Sequence, residues 1–127
     1  MSNLLTVENL GKTFTSRRFL SFRPDYEVTA LRDVSFTVAK GETVGVVGES
    51  GCGKSTLARC VLDLITPTTG AVRFDGTDLT TLASAEKRAM RGRIQMVFQD
   101  PYSSLNSKRS IGRTLAEPLY VHMGIRY

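Results

Sequence analysis

Apolar and polar positions follow two different periods along the chain. A period of two through ALRDVSFTV (Ala30–Val38) predicts a half-buried strand. The stretch LLTVENLGKTF (Leu4–Phe14) predicts a strand plus a turn, and AVRFDG (Ala71–Gly76) predicts a strand and the turn of a hairpin. Two short apolar runs, TVGVV (Thr43–Val47) and IQMVF (Ile94–Phe98), predict further strands, the first of them buried in a mostly parallel sheet.

A helical period begins after these first strands, at Lys54. Apolar residues recur every four positions from there, which predicts an amphipathic helix of about three turns that cannot continue through Pro67. A short helix is predicted over Ser84–Arg91, and a final helix despite Pro118 within it. The final helix is indicated by Leu115, Leu119 and Met123. Thr15–Glu27, with three arginines and a proline, predicts a surface loop.

The segment GESGCGKST joins the predicted TVGVV strand to the predicted helix. Its sequence satisfies G-x-x-x-x-G-K-[ST], a phosphate-binding pattern. Small residues let backbone N–H groups approach a polyphosphate closely, and the N-terminus of the next helix favours an anion. The residues predicted to bind the phosphates are Gly48, Glu49, Ser50, Gly51, Cys52, Gly53, Lys54, Ser55 and Thr56.

Four side chains of this loop have separate interpretations. The Lys54 ammonium is predicted to contact the β- and γ-phosphates, and the Ser55 hydroxyl is predicted to hold Mg²⁺. Thr56 can reach an α-phosphate oxygen. Cys52 is either a small filler among the amides or a reactive thiol at a helix N-terminus.

Composition narrows the class of protein. With 127 residues, of which 41% are hydrophobic and 23% charged, the chain is typical of at most one globular domain. It has no apolar run long enough to span a membrane and no secretory signal pattern. The net charge of +5 fits a nucleic acid, an anionic membrane surface or a phosphate ligand, or simply a solvated basic face. Two cysteines fit neither a disulfide framework nor a zinc site, which favours a reducing cytoplasm.

The order of these motifs resembles the ATP-binding subunits of ABC transporters. The similarity runs through ENLGKTF, ALRDVSFTVAKGETVGVVGESGCGKSTLARCVL, TPTTGAVRFDGTDL and IQMVFQDPYSSLN, and so covers essentially the whole chain. GESGCGKSTLAR and MVFQDPYSSLN, with the loop Thr15–Glu27, resemble subunits of oligopeptide, dipeptide or nickel importers most. The chain has no N-K-x-D motif, which weighs against a GTPase.

The resemblance implies roles for two residues outside the loop. Phe14 lies where the family has an aromatic side chain that stacks on adenine. The alternatives are that Phe14 is a core phenylalanine and that Tyr26 stacks on the adenine instead. Gln99 matches a glutamine that ligates Mg²⁺ or orients water near the γ-phosphate; otherwise it is a surface residue. The implied catalytic residues are therefore Lys54 and Gln99, and the implied Mg²⁺ ligands are Ser55 and Gln99.

The resemblance also implies a fold. It is α/β, an incomplete P-loop NTPase core of the ABC type with an N-terminal antiparallel β subdomain and the start of a helical subdomain. Residues 1–42 and 66–80 would form mainly the β subdomain. Residues 43–65 and 94–100 would form the P-loop core, and residues 101–127 the start of the helical subdomain.

Four motifs of the family are expected after Tyr127 and do not occur in this sequence. They are the Leu-Ser-Gly-Gly-Gln signature, the Mg²⁺-binding aspartate, the adjacent catalytic glutamate and the switch histidine; His122 is expected to be an ordinary residue of the final helix. The chain is thus expected to be the N-terminal portion of an ATP-hydrolysing importer subunit, catalytically incomplete as given. Some of its strands are expected to be unpaired edges.

The resemblance further implies ATP and Mg²⁺ as cofactors. The implied partners are transmembrane permease subunits and a second ATP-binding subunit that completes a sandwiched site, with no nucleic acid. Membrane contact would be indirect, through the permease, at the cytoplasmic face of the plasma (inner) membrane. The alternatives are an inactive truncated fragment and a P-loop kinase with an arginine lid drawn from Arg88, Arg91 and Arg93.

Overall fold

A computed structural model describes residues 3–16, 26–100 and 105–125. The chain divides into two compact units, Met1–Lys87 and Arg88–Tyr127. Most of the predicted loop Thr15–Glu27 lies outside the described residues. In chain order the elements are β1 (Asn3–Ser16), β2 (Tyr26–Ala39), α1 (Lys54–Val61), β3 (Thr69–Phe74), β4 (Thr77–Asp78), α2 (Ser84–Met90) and α3 (Ile111–Met123).

The sheet of the first unit is antiparallel throughout, in the order β2-β1-β3-β4. The alternation in Ala30–Val38 correctly predicted β2, which is longer than expected. The turn predicted within Leu4–Phe14 is wrong, because β1 continues through it with irregular register. At this irregularity in register Asn9 adopts a left-handed conformation (φ 46°), and its N–H donates to Ser35 Oγ at 2.8 Å.

The β3–β4 hairpin is confirmed. Asp75 and Gly76 form its turn, with φ of 50° and 78°, the conformation that matches the twist of a two-residue hairpin. The hydrophobic core of the described residues draws on the sheet, on α1 and on the segment after β4. It consists of Val7, Leu10, Leu31, Leu57, Cys60, Val72 and Leu79.

The two predicted apolar strands Thr43–Val47 and Ile94–Phe98 are wrong for this chain, since neither segment forms a strand. Val47 and Val97 are 93% and 96% exposed. A strand exists only when a neighbour satisfies its backbone N–H and C=O groups. Among the described residues the one sheet is antiparallel, and it offers neither segment a partner. The predicted parallel sheet is therefore absent from this part of the molecule.

The helices are confirmed in type but not in every boundary. α1 ends at Val61 instead of reaching Ile65, because Asp63 adopts a left-handed conformation (φ 54°) that breaks the helix. The Asp63 carboxylate accepts a hydrogen bond from Lys87 Nζ at 2.6 Å, which holds this turn. α3 contains Pro118 and ends at Met123, with Gly124 as its C-cap. No helix among the described residues is both long and apolar enough to cross a membrane.

Candidate phosphate-binding site

The loop before α1 curls around the ammonium group of Lys54. Lys54 Nζ donates to the carbonyl oxygen of Gly48 at 2.7 Å and to that of Glu49 at 2.6 Å, and it lies 3.5 Å from Cys52 Sγ. The chain reverses through Gly51 and Gly53, whose φ values of 83° and 99° are left-handed. The sequence pattern thus brings its glycines and its lysine into one compact turn.

Packing against β2 fixes the end of this turn. A Cβ atom on Gly53 would lie 2.4 Å from the carbonyl oxygen of Ala30 and 3.1 Å from Leu31 Cδ2. A Cβ atom on Gly48 would lie 2.7 Å from Cys52 Sγ. Gly53 is therefore required for two reasons, its backbone conformation and the close approach of a neighbouring strand.

The N-terminus of α1 opens on the same turn. Its N-cap is Gly53, which provides no side-chain hydrogen bond, and the first turn carries no acidic residue. The first N–H groups of the helix consequently lack a capping side chain, and the helix dipole places partial positive charge there. Ser55 is exposed and Thr56 is half-buried in this first turn. Uncapped amides beside a lysine ammonium are the donors that a polyphosphate requires, so these residues fit such a group.

An exposed apolar patch on the sheet is the candidate site for a nucleotide base. Phe14 pairs with Val28 across β1 and β2, and Ser16 pairs with Tyr26. Cross-strand partners share a face, as do residues two apart, so Phe14, Val28 and Tyr26 lie on one face. Their exposed fractions are 41%, 61% and 70%. Phe14 is thus not a core phenylalanine, and Tyr26 lies beside it on the same face.

This patch lies close to the loop along β2. Val28 and Ala30 are two residues apart, roughly 7 Å along a strand, and Gly53 approaches the carbonyl of Ala30. The strand that pairs with Phe14 at Val28 is therefore the same strand that Gly53 contacts at Ala30. Sequence reasoning missed Lys12, whose ammonium lies over the Phe14 ring, 5.1 Å from its centroid. The sequence signal that could have indicated this contact is that Lys12 lies two residues before Phe14.

Comparison with known proteins identifies the family. The profile of the ABC transporter family matches residues 31–122. The chain belongs to the ABC transporter family. A probable peptide ABC transporter ATP-binding protein, y4tS of Sinorhizobium fredii, is 60% identical over 116 residues, which are 91% of this chain and 33% of that protein. The di/tripeptide transport ATP-binding protein DppF of Pseudomonas aeruginosa is 42% identical over 98% of this chain and 38% of its own length.

Solved ABC structures have the same fold. The dimeric structure of an ATP-binding cassette in a post-hydrolysis state, bound to ADP and Pi, has a TM-score of 0.75 and 25% identity. It is matched over 97% of this chain and 50% of its own. The predicted fold class, an α/β core of the ABC type with an antiparallel β subdomain, is confirmed. The chain spans about a third of the length of the curated relatives it matches.

The remaining implied residues of the ABC site lie elsewhere in the chain. Gln99 is exposed and belongs to the second unit, whereas the loop belongs to the first. Its catalytic and metal-binding roles stay predictions. His122 is an exposed residue of α3, and its Nδ1 would lie 3.2 Å from a Cβ atom on Gly92. The described residues contain no cluster of three or more His, Cys, Asp or Glu side chains that could hold a metal ion.

The two cysteines are expected to differ in reactivity. Cys52 is exposed in the loop, whereas Cys60 is buried, and burial raises the pKa of the Cys60 thiol. N-ethylmaleimide should therefore label Cys52 first, and ATP should slow that labelling because bound phosphates cover the loop. Mass spectrometry of the wild type and of Cys52→Ser measures both rates. Equal labelling of Cys52 with and without ATP would contradict this assignment of the loop.

Proposed function

We propose that this chain binds ATP at Gly48–Thr56, as the nucleotide-binding part of an ABC importer subunit that couples ATP hydrolysis to uptake of peptide-type solutes. The observation that carries the proposal is the Lys54 ammonium, held inside a glycine turn at the uncapped N-terminus of α1. A phosphate oxygen would replace the carbonyl oxygens of Gly48 and Glu49 as the partner of this ammonium. Charge-assisted bonds of that kind are stronger than the bonds they replace.

Mg²⁺ is proposed as the second cofactor. Ser55, exposed in the first turn of α1, and Gln99 would supply its protein ligands, and the phosphates would supply others. When bound, Mg²⁺ would neutralise charge on the β- and γ-phosphate oxygens. The described residues offer no carboxylate cluster for the metal, so its affinity for the free chain is expected to be weak.

Hydrolysis is proposed to require further polypeptide. This sequence contains the loop but none of the signature, catalytic-glutamate or switch-histidine motifs that the resemblance implies. The relatives are about three times longer.

The partners are proposed from the relatives. Proteins named for peptide transport and cassettes solved as dimers support permease subunits and a second ATP-binding subunit as the partners of this chain. Contact with the membrane would then be indirect, through the permease, at the cytoplasmic face of the plasma (inner) membrane.

The test is to measure binding and turnover separately in the purified chain. Isothermal titration should show ATP binding, and a phosphate-release assay with Mg²⁺ should show no steady turnover. Adding the part of the y4tS protein that this chain does not match should then produce turnover that Lys54→Ala in this chain abolishes. Lack of ATP binding, or steady turnover by the chain alone, would contradict the proposal. Release of ADP that depends on an added acceptor would indicate a P-loop kinase instead.

A further inference from the structure

Lys12 makes contacts that none of the roles above uses. Its ammonium lies over the Phe14 ring, 5.1 Å from the centroid, within the range of a cation–π interaction. The same Nζ donates a hydrogen bond to the carbonyl oxygen of Thr66 at 2.8 Å. The side chain therefore joins a ring on β1 to the segment that follows α1.

The segment around Thr66, whose carbonyl oxygen accepts the hydrogen bond from Lys12, is itself held in place. Thr68 N–H donates to the carbonyl oxygen of Gly11 at 2.8 Å, and Thr13 N–H donates to Thr68 Oγ1 at 3.0 Å. These bonds fix the segment around Thr66 to β1. The ammonium also acts on α1, because its charge lowers the pKa of the Cys60 thiol against the larger raising effect of burial. Lys12 thus lies where β1, α1 and the following segment meet.

We propose that Lys12 is a positioning residue for base stacking, and that its ammonium holds the Phe14 ring by one face so that the other face receives the adenine. This inference rests on the proposed function, in which Phe14 stacks on the base. The register of β1 is irregular between Lys12 and Thr13, just before the ring, and irregularities of this kind re-aim side chains. The ammonium, held by the Thr66 carbonyl, then contacts the ring.

In this role Lys12 affects binding of the base and not binding of the phosphates. Removal of the Lys12 charge should weaken binding of ATP but leave binding of inorganic tripolyphosphate unchanged, since tripolyphosphate has no base to stack. Cation–π pairs at partly exposed positions correspond to about a two- to fivefold change in affinity. Lys12→Met retains the aliphatic stem and removes the ammonium, while Lys12→Arg retains a charge that can stack on the ring and donate to Thr66.

The experiment titrates four forms of the full chain with ATP and with tripolyphosphate. Lys12→Met is expected to lose about two- to fivefold in ATP affinity with unchanged tripolyphosphate affinity, and Lys12→Arg is expected to restore ATP binding. Lys40→Met, an exposed lysine after β2, is the matched control and should resemble the wild type with both ligands. Thermal unfolding of each variant checks that the fold is retained.

Three outcomes would overturn the inference while leaving the proposed function intact. One is that Lys12→Met binds ATP as tightly as the wild type. Another is that it binds ATP more tightly, which would mean that the ammonium occupies the place of the base. A third is an equal loss for both ligands, which would assign Lys12 to the phosphates or to the fold. If the wild type binds neither ligand, the proposed function itself fails.

Discussion

A Lys54→Met variant is expected to lose affinity for both ATP and tripolyphosphate by about 10- to 100-fold. Hydrogen bonds to charged groups contribute about 1.5–3 kcal/mol, and each 1.4 kcal/mol corresponds to a factor of ten. In the free protein the Lys54 ammonium bonds the carbonyl oxygens of Gly48 and Glu49. The variant removes the only side-chain cation within the loop Gly48–Thr56. Isothermal titration of both ligands measures the loss.

The control for this variant is Lys40→Met, which removes the same charge from an exposed turn outside the loop. Because the chain carries a net charge of +5, a general loss of positive charge would weaken binding of any anion somewhat. Lys40→Met should therefore change the affinity little. Similar losses in the two variants would mean that the anion is attracted by overall charge, and the assignment of Lys54 would be wrong.

Gly53→Ala is expected to destabilise the first unit by about 2–5 kcal/mol and to abolish measurable nucleotide binding. An alanine at φ 99° is strained by about 1–2 kcal/mol, and overpacking against a neighbour typically costs about 1–3 kcal/mol more. The overpacking is specific, because the new Cβ would lie 2.4 Å from the carbonyl oxygen of Ala30. The loop must then move away from β2, and with it the amides that are proposed to bind the phosphates. Thermal unfolding and ATP titration measure the two effects.

Gly41→Ala separates backbone strain from the clash. Gly41 has φ 81°, but apart from Gly41 and its two chain neighbours no heavy atom lies within 4 Å of the position of its Cβ, and it lies outside the loop. This variant should lose only about 1–2 kcal/mol of stability and should bind ATP like the wild type. If both variants are equally stable, or if Gly53→Ala binds ATP normally, the contact of Gly53 with β2 does not position the loop.

Local features of the fold were predictable from the sequence. The alternation in Ala30–Val38 gave β2, the Asp75–Gly76 pair gave the hairpin turn, and the pattern of the loop gave the position of Lys54 at the start of α1. In each case the information lies within a few neighbouring residues. The apolar spacing also gave α3, including the proline that a helix interior tolerates poorly.

Features that depend on distant contacts were not predictable. Thr43–Val47 has the composition of a buried parallel strand, but a strand forms only with a neighbour, and the described residues provide none. The early end of α1 depends on Asp63, whose carboxylate bonds a lysine 24 residues away. The hydrogen bond from Lys12 to the carbonyl oxygen of Thr66 likewise joins positions 54 residues apart, whose proximity no local pattern shows.

The central claim is that Gly48–Thr56 encloses a polyphosphate, and its most direct test is a titration of the ¹⁵N-labelled chain with tripolyphosphate, followed through its amide resonances. Saturable shifts concentrated in the amides of residues 48–56 are expected in the wild type, and no such shifts are expected in Lys54→Met. Shifts that are absent from this loop, or that occur mainly in the basic segment Lys87–Arg93, would contradict it.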